Sequence, residues 1–123
     1  LHFPIEVKRV ATIREEDGLA KSSRNVRLSE AERKEAPIIY EMLSWGRGLI
    51  ESGEVPLDVA EQDIKQRLSD HLKLGKIDYL QLRTYPELLP VKGKLEGELI
   101  LAVAVFYKNA RLIDNIVIDL GGR

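Results

Sequence analysis

Glu98-Leu99-Ile100-Leu101-Ala102-Val103-Ala104-Val105-Phe106-Tyr107 runs into Lys108-Asn109 and then into Ala110-Arg111-Leu112-Ile113-Asp114-Asn115-Ile116-Val117-Ile118. The first part is the most apolar stretch of the chain, of strand length, and reads as a strand covered on both faces. Lys108-Asn109 is a turn, and residues 111–118 return as a last extended segment. Upstream, residues 77–83 alternate: Ile77, Tyr79, Gln81 and Arg83 face one way, Leu80 and Leu82 the other. Residues 3–10 read as a further short strand, and residues 86–90, between two prolines, as a turn or a short helical segment. The tail, residues 121–123, looks loose.

Two helices separate the first strand from the others. Ser29-Glu30-Ala31-Glu32 is a capping box, a serine N-cap with a glutamate three residues on. Ala36, Ile39, Leu43, Gly46 and Ile50 follow at helical spacing, widened by Met42, Trp45 and Leu49. Pro37 interrupts them. A proline inside a helix costs about 3 kcal/mol, so either the helix kinks there or a short helix ends near Glu35 and a second begins at Pro37. Ser52-Gly53 ends it. Residues 56–72 give the next helix, with Leu57, Ala60, Ile64, Leu68 and Leu72 on one face, Asp58 as cap or first-turn acid, and Gly75 as the stop. The order predicts an α+β domain: a small, mainly antiparallel sheet covered by helices on one face, two layers in all.

Composition narrows the function. The 123 residues make one domain, and 44% apolar with 32% charged residues is ordinary for a globular protein. Nineteen basic residues against 20 acidic ones leave no global field to draw in nucleic acid. No basic patch is interleaved with aromatics. The absence of cysteine removes disulfides, thiolate catalysis and cysteine zinc sites, and fits a reducing cytoplasm. His2 and His71 lie far apart and form no metal-ligand pair. No apolar run approaches the roughly 18 residues of a membrane helix. The chain opens without Met on Leu1-His2-Phe3-Pro4-Ile5, inside an expected strand, as an excised fragment would.

The stretch that carries chemistry is Arg14-Glu15-Glu16-Asp17-Gly18-Leu19-Ala20-Lys21-Ser22-Ser23-Arg24-Asn25. Asp17-Gly18 is a turn signal. Adjacent hydroxyls, a guanidinium and an ammonium are what a phosphate chain needs, and Arg24 can hold two phosphate oxygens at once. On spacing alone, such a loop is more often a solvated turn leading to a helix.

The string DGLAKSSRN (residues 17–25) resembles the DGLAxSSRN signature of the pantothenate synthetases. Downstream, Arg111-Leu112-Ile113-Asp114-Asn115 is similar to that family's closing RLIDN segment, and Ile77-Asp78-Tyr79 with Glu87-Leu88 and Pro90-Val91 matches its intervening strand and turn. The resemblance implies an ATP-dependent ligase. Pantoate's carboxylate attacks the α-phosphate of ATP, with magnesium accompanying the nucleotide, to give pantoyl adenylate and pyrophosphate. The amine of β-alanine then attacks the adenylate to give pantothenate and AMP. It further implies that residues 1–123 are the C-terminal lid, and that an N-terminal Rossmann-like domain with an HxGH motif holds pantoate. No HxGH string occurs here. Ser22, Ser23 and Arg24 would contact the ATP phosphates, with Ser22 and Arg24 acting on the reacting triphosphate, and Ile13 and Lys21 would border the adenine. Lys21 stands where the family commonly has Met or Leu: it either adds a phosphate contact or tolerates solvent. The resemblance implies a homodimer formed through the other half, leaving this chain a monomer that is inactive alone.

Other residues have plainer readings. Glu15, Glu16 and Asp17 are solvated loop carboxylates rather than a metal site. Arg111, Asp114 and Asn115 anchor the last strand beside the loop. Trp45 and Tyr40 pack in the core, and His71 is a helix-dipole partner or simply exposed. The competing functional reading is a stand-alone module that binds phosphorylated ligands or a protein without catalysis.

Overall fold

The computed structural model describes residues 13–84 and 97–120. The segments expected at 3–10, 86–90 and 121–123 lie outside these described residues. A 3-10 helix, Ser23–Arg27, is followed by α1 (Glu30–Glu35), α2 (Ile38–Ser52) and α3 (Leu57–His71). Three strands come next: β1 (Lys76–Thr84), β2 (Glu98–Tyr107) and β3 (Ala110–Asp119). The strands form one antiparallel sheet in the order β1-β2-β3. The expected α+β architecture stands, with helices on one face of the sheet. No helix among the described residues is long and apolar enough to cross a membrane.

Pro37 resolves into two helices rather than a kink. It sits in the helical region at the N-cap of α2, where its missing N–H removes no helical bond. The capping box on α1 is complete: Ser29 Oγ accepts the Glu32 N–H at 3.1 Å, and Glu32 Oε1 accepts the Ser29 N–H at 2.8 Å. At the far end of α2, Gly53 takes the left-handed conformation (φ 70°) that closes helices. The last helix stops at His71, ahead of the expected Gly75.

The helical stripes meet the sheet through Ile39, Leu43 and Ile50 of α2 and Leu57, Ala60, Ile64 and Leu68 of α3, all buried. Leu99, Leu101, Val103, Val105 and Tyr107 of β2 join them in the core. Trp45 departs from the expected core role. It lies at the rim, with the Arg67 guanidinium 4.4 Å from its ring. His71 is exposed, its Nδ1 2.8 Å from the Arg67 carbonyl.

Strict alternation fails at one place in β1. Ile77 pairs with Val105 and Tyr79 with Ala104, so Asp78 is an extra residue, a bulge. The bulge turns Ile77 to the helix-covered side with Leu80 and Leu82, opposite to its expected face. Asp78 then accepts the Arg111 guanidinium of β3 at 2.8 Å.

Two glycines of α2 predict opposite responses to alanine. A Cβ at Gly46 would lie 2.7 Å from Ile64 Cδ1 and 3.2 Å from Leu101, whereas one at Gly48 meets nothing within 4 Å. Gly48→Ala is expected to raise stability by up to about 1 kcal/mol through helix propensity. Gly46→Ala is expected to lower it by about 1–3 kcal/mol, because overpacking outweighs the same propensity gain. Urea denaturation of both variants checks the signs.

The short α1 fastens the rest of the domain through its glutamates. Glu32 Oε2 accepts the Lys108 N–H of the β2–β3 turn at 3.2 Å. The Glu35 carboxylate accepts backbone N–H groups of Lys73 at 2.6 Å, Leu74 at 3.1 Å and Gly75 at 2.9 Å, and the Tyr107 hydroxyl at 3.0 Å. Burial pushes Glu35 upward, but these donors outweigh it and hold the carboxyl below its ordinary 4.5. Backbone donors, Ser29 first and then Lys108, lower Glu32 likewise. Burial and the neighbouring Glu35 push the Tyr107 hydroxyl up, so it stays a donor.

For carboxyls depressed on folding, the stabilisation is complete above the ordinary carboxylate range and is lost as pH falls through the lowered values. The melting temperature is therefore expected to drop on acidification below about pH 4.5, where unfolded glutamates begin to bind protons. Glu35→Gln should flatten that drop. Thermal melts across the acid range measure both.

Candidate functional site

The polar stretch 14–25 folds as a small hairpin that leads into the 3-10 helix. Arg14 and Ala20 form a β-bridge, and backbone bonds run from Lys21 N to Ile13 O at 2.9 Å and from Glu15 N to Leu19 O at 2.8 Å. The turn needs glycine twice over. Gly18 has φ 94°, and a Cβ there would lie 2.6 Å from the Tyr40 ring. Asp17 serves the turn as expected: its Oδ1 accepts the Leu19 N–H at 3.3 Å, and its Oδ2 pairs with Arg33 of α1 at 2.7 Å. The Arg33 bond holds the Asp17 carboxyl below its usual range. No group of three or more histidine or acidic side chains able to hold a metal occurs among the described residues.

Behind the hairpin lies a guanidinium that the sequence reading left unremarked. Arg14 donates to Asp114 Oδ2 at 2.7 Å and Oδ1 at 3.0 Å, and to the Gly18 carbonyl at 3.1 Å. Its guanidinium lies 3.8 Å from the Tyr40 ring centroid. Tyr40 is thus the floor beneath the hairpin rather than plain core. The signal that could have found the pair is Asp114 itself, an acid at an inward position between Leu112 and Ile116.

Ser22 caps the 3-10 helix by accepting the Arg24 N–H on its Oγ at 3.1 Å, which leaves its own O–H free to donate. Asn25 Nδ2 donates to the Ala20 carbonyl at 3.0 Å, tying the helix back to the hairpin. Ser22, Ser23, Arg24 and Lys21 are all exposed, and Ile13 is 70% exposed. The side chains of Lys21 and Arg24 enter no ion pair or hydrogen bond among the described residues. The structure thus brings Ser22, Ser23 and Arg24 together on one short turn. Ile13 and Lys21 sit opposite each other at the hairpin's open end.

Behind Ser22 and Asn25 is a small pocket of about 20 Å³ lined by Leu19, Tyr40 and Asp114, while Ser23 and Arg24 lie on an open surface. A cleft of about 510 Å³ beside it is lined by Arg14, Glu15, Glu16, Asp17, Lys21 and Arg33 and excludes Ser23 and Arg24. A larger one, about 580 Å³, lies away from the loop between α3 and β1. Exposed, unneutralised cations beside hydroxyl donors can bind an anion, and they leave the opposite wall of any closed site to another body.

A family model described as Pantoate-beta-alanine ligase matches residues 1–117. The pantothenate synthetase of Geobacillus sp. (strain WCH70) is 50% identical over 119 residues, 97% of this chain and 42% of its own length. That of Listeria monocytogenes serotype 4b (strain F2365) is 50% identical over 121 residues, 98% of this chain and 42% of its own. The crystal structure of pantothenate synthetase from Thermus thermophilus superposes with a TM-score of 0.77 at 37% identity, covering 87% of this chain and 38% of that one. The chain spans about two fifths of the length of these relatives. By the family match along nearly its whole length, this chain belongs to the pantoate–β-alanine ligase family.

Proposed function

We propose that this domain is the C-terminal lid of a pantothenate synthetase and that its loop at residues 21–25 binds the triphosphate of magnesium–ATP. The observation that carries the reading is the exposed pair Lys21 and Arg24, unneutralised among the described residues, beside Ser22 and Ser23 on a backbone fixed by the hairpin. Three guanidiniums nearby are already occupied, Arg14 by Asp114, Arg33 by Asp17 and Arg111 by Asp78, while Arg27, at the far end of the 3-10 helix, is exposed like Arg24 and has no partner among the described residues.

In the first step, pantoate's carboxylate oxygen attacks the α-phosphorus and the bond to the bridging oxygen breaks. Negative charge builds on the departing pyrophosphate. Arg24 stabilises it through two N–H donors, and the Ser22 and Ser23 hydroxyls donate alongside. In the second step, the β-alanine amine attacks the acyl carbon and AMP leaves. Lys21 adds a point charge at the phosphates, and Ile13 lies against the adenine. Pantoate and β-alanine are held by the remainder of the ligase, which the lid closes over and shields from water.

Two consequences are testable together. The chain alone forms no pantothenate from ATP, pantoate and β-alanine, whereas a full-length ligase carrying it does. Turnover by the pure chain would overturn the division of labour.

A further inference from the structure

We infer that Arg14 and Asp114 are positioning residues that set the height and angle of the Ser22-Ser23-Arg24 turn over the reacting triphosphate. The inference rests on the phosphate-binding reading above.

Asp114 occupies an inward position of β3, opposite Val103 and between Leu112 and Ile116, and is 6% exposed. A carboxylate there is a poor way to gain stability. Its desolvation costs several kcal/mol, and an apolar side chain of similar size would pack as well or better. What an ion pair gives that packing does not is a single location, because both of its oxygens must meet the guanidinium in one plane. Arg14 meets them at 2.7 and 3.0 Å, while its guanidinium also bonds the Gly18 carbonyl and lies over Tyr40. One side chain thereby references the hairpin to β3, to its own turn and to α2.

Apart from this pair, the loop is held at its turn by the half-exposed Asp17–Arg33 ion pair, at 2.7 Å. No residue of the 3-10 helix is buried, and Leu19 is the one buried side chain among residues 13–27. One apolar anchor and a solvent-exposed ion pair, worth about 1 kcal/mol or less, hold the hairpin only weakly against pivoting. The connection from the anchor to the phosphate turn is short and made of hydrogen bonds. The Arg14–Ala20 bridge joins the hairpin's two arms, the Ala20 carbonyl accepts from Asn25 Nδ2, and the Asn25 N–H donates to the Ser22 carbonyl at 3.1 Å. Loosening the Arg14–Asp114 pair lets the whole turn shift. A displacement of about 1 Å at reacting groups can cost on the order of a hundredfold in rate.

The test uses a full-length ligase carrying this chain, with Arg14→Lys, Asp114→Asn, Arg24→Ala and the double variant Arg14→Lys/Arg24→Ala. Adenylation is followed by ATP–pyrophosphate exchange and fold by thermal melting. Amide hydrogen exchange compares residues 13–25 with the β2 core. Arg14→Lys retains the charge, so it carries the test if Asp114→Asn melts too low. The expected result is a kcat lower by roughly 10- to 100-fold in each positioning variant. KM for pantoate should be unchanged, and exchange should be faster at residues 13–25 but not in β2. Because Arg14 acts through Arg24, the double variant should be no slower than Arg24→Ala alone. Wild-type kcat in the folded positioning variants, with Arg24→Ala still defective, would overturn the inference and leave the phosphate-binding reading standing. So would fully additive losses in the double variant. A fully active Arg24→Ala would instead remove the phosphate-binding reading itself.

Discussion

Arg24→Ala in a full-length ligase carrying this chain is expected to slow pantoyl adenylate formation by about 10²–10³-fold, the loss typical of removing one preorganised charge-stabilising donor. The reasoning starts from what Arg24 does in the resting domain, which is nothing structural. Its side chain is exposed and has no partner among the described residues; its backbone N–H, which the substitution keeps, makes the bond to Ser22. The melting temperature should therefore stay within about 1–2 °C of wild type, as for most surface changes. Arg24→Lys should recover only part of the rate, because an ammonium cannot hold two phosphate oxygens in one plane. ATP–pyrophosphate exchange on the three proteins reads the effect. Equal rates in wild type and Arg24→Ala would show that the guanidinium does not meet the reacting triphosphate.

Glu35→Ala is expected to cost about 2–4 kcal/mol of stability, a loss in the range of emptying a buried core position. Its carboxylate gathers donors from Lys73, Leu74, Gly75 and Tyr107, so truncation strips the α3–β1 connection and the end of β2 at once. The loss stops short of four full hydrogen bonds because Lys73 and Leu74 are exposed and water can take their N–H groups. The buried Gly75 N–H and Tyr107 hydroxyl have no such recourse. For a domain with a total stability on the order of 5–15 kcal/mol, such a loss lowers the melting point by roughly 10 °C. Tyr107→Phe removes one donor and leaves the rest, and should cost about 1 kcal/mol. Calorimetry that found Glu35→Ala within about 0.5 kcal/mol of wild type would show that solvent replaces the latch without loss.

The parts of this fold that could be read in advance are those written in local chemistry. The capping box at Ser29, the stop at Gly53, the turn at Lys108-Asn109 and the apolar run of β2 each follow from neighbours a few residues apart. Of the two readings of Pro37, the structure selects two helices, because at the start of a helix proline's missing N–H removes no intrahelical bond. The misreadings have a common cause in long-range contact. The Asp78 bulge that turns Ile77 inward follows from pairing with β2, which residues 76–79 do not encode by themselves. Glu35 carried no signal, since its partners lie 38 to 72 positions away. Trp45 fell on the helical stripe by spacing, yet its position at the rim depends on how α2 meets α3. At the site, the resemblance supplied Ser22, Ser23 and Arg24, and Asp114 was legible as an anchor beside the loop, but its partner Arg14, a hundred positions away, was not.

Whether residues 21–25 bind the nucleotide is read by a magnesium–ATP titration of this chain followed by backbone amide NMR, with Arg24→Ala in parallel. The expected result is shifts confined to residues 13–25 that weaken sharply in the variant. Shifts centred on the cleft at Lys65, Lys73 and Lys76, or no shifts at millimolar nucleotide, would contradict it.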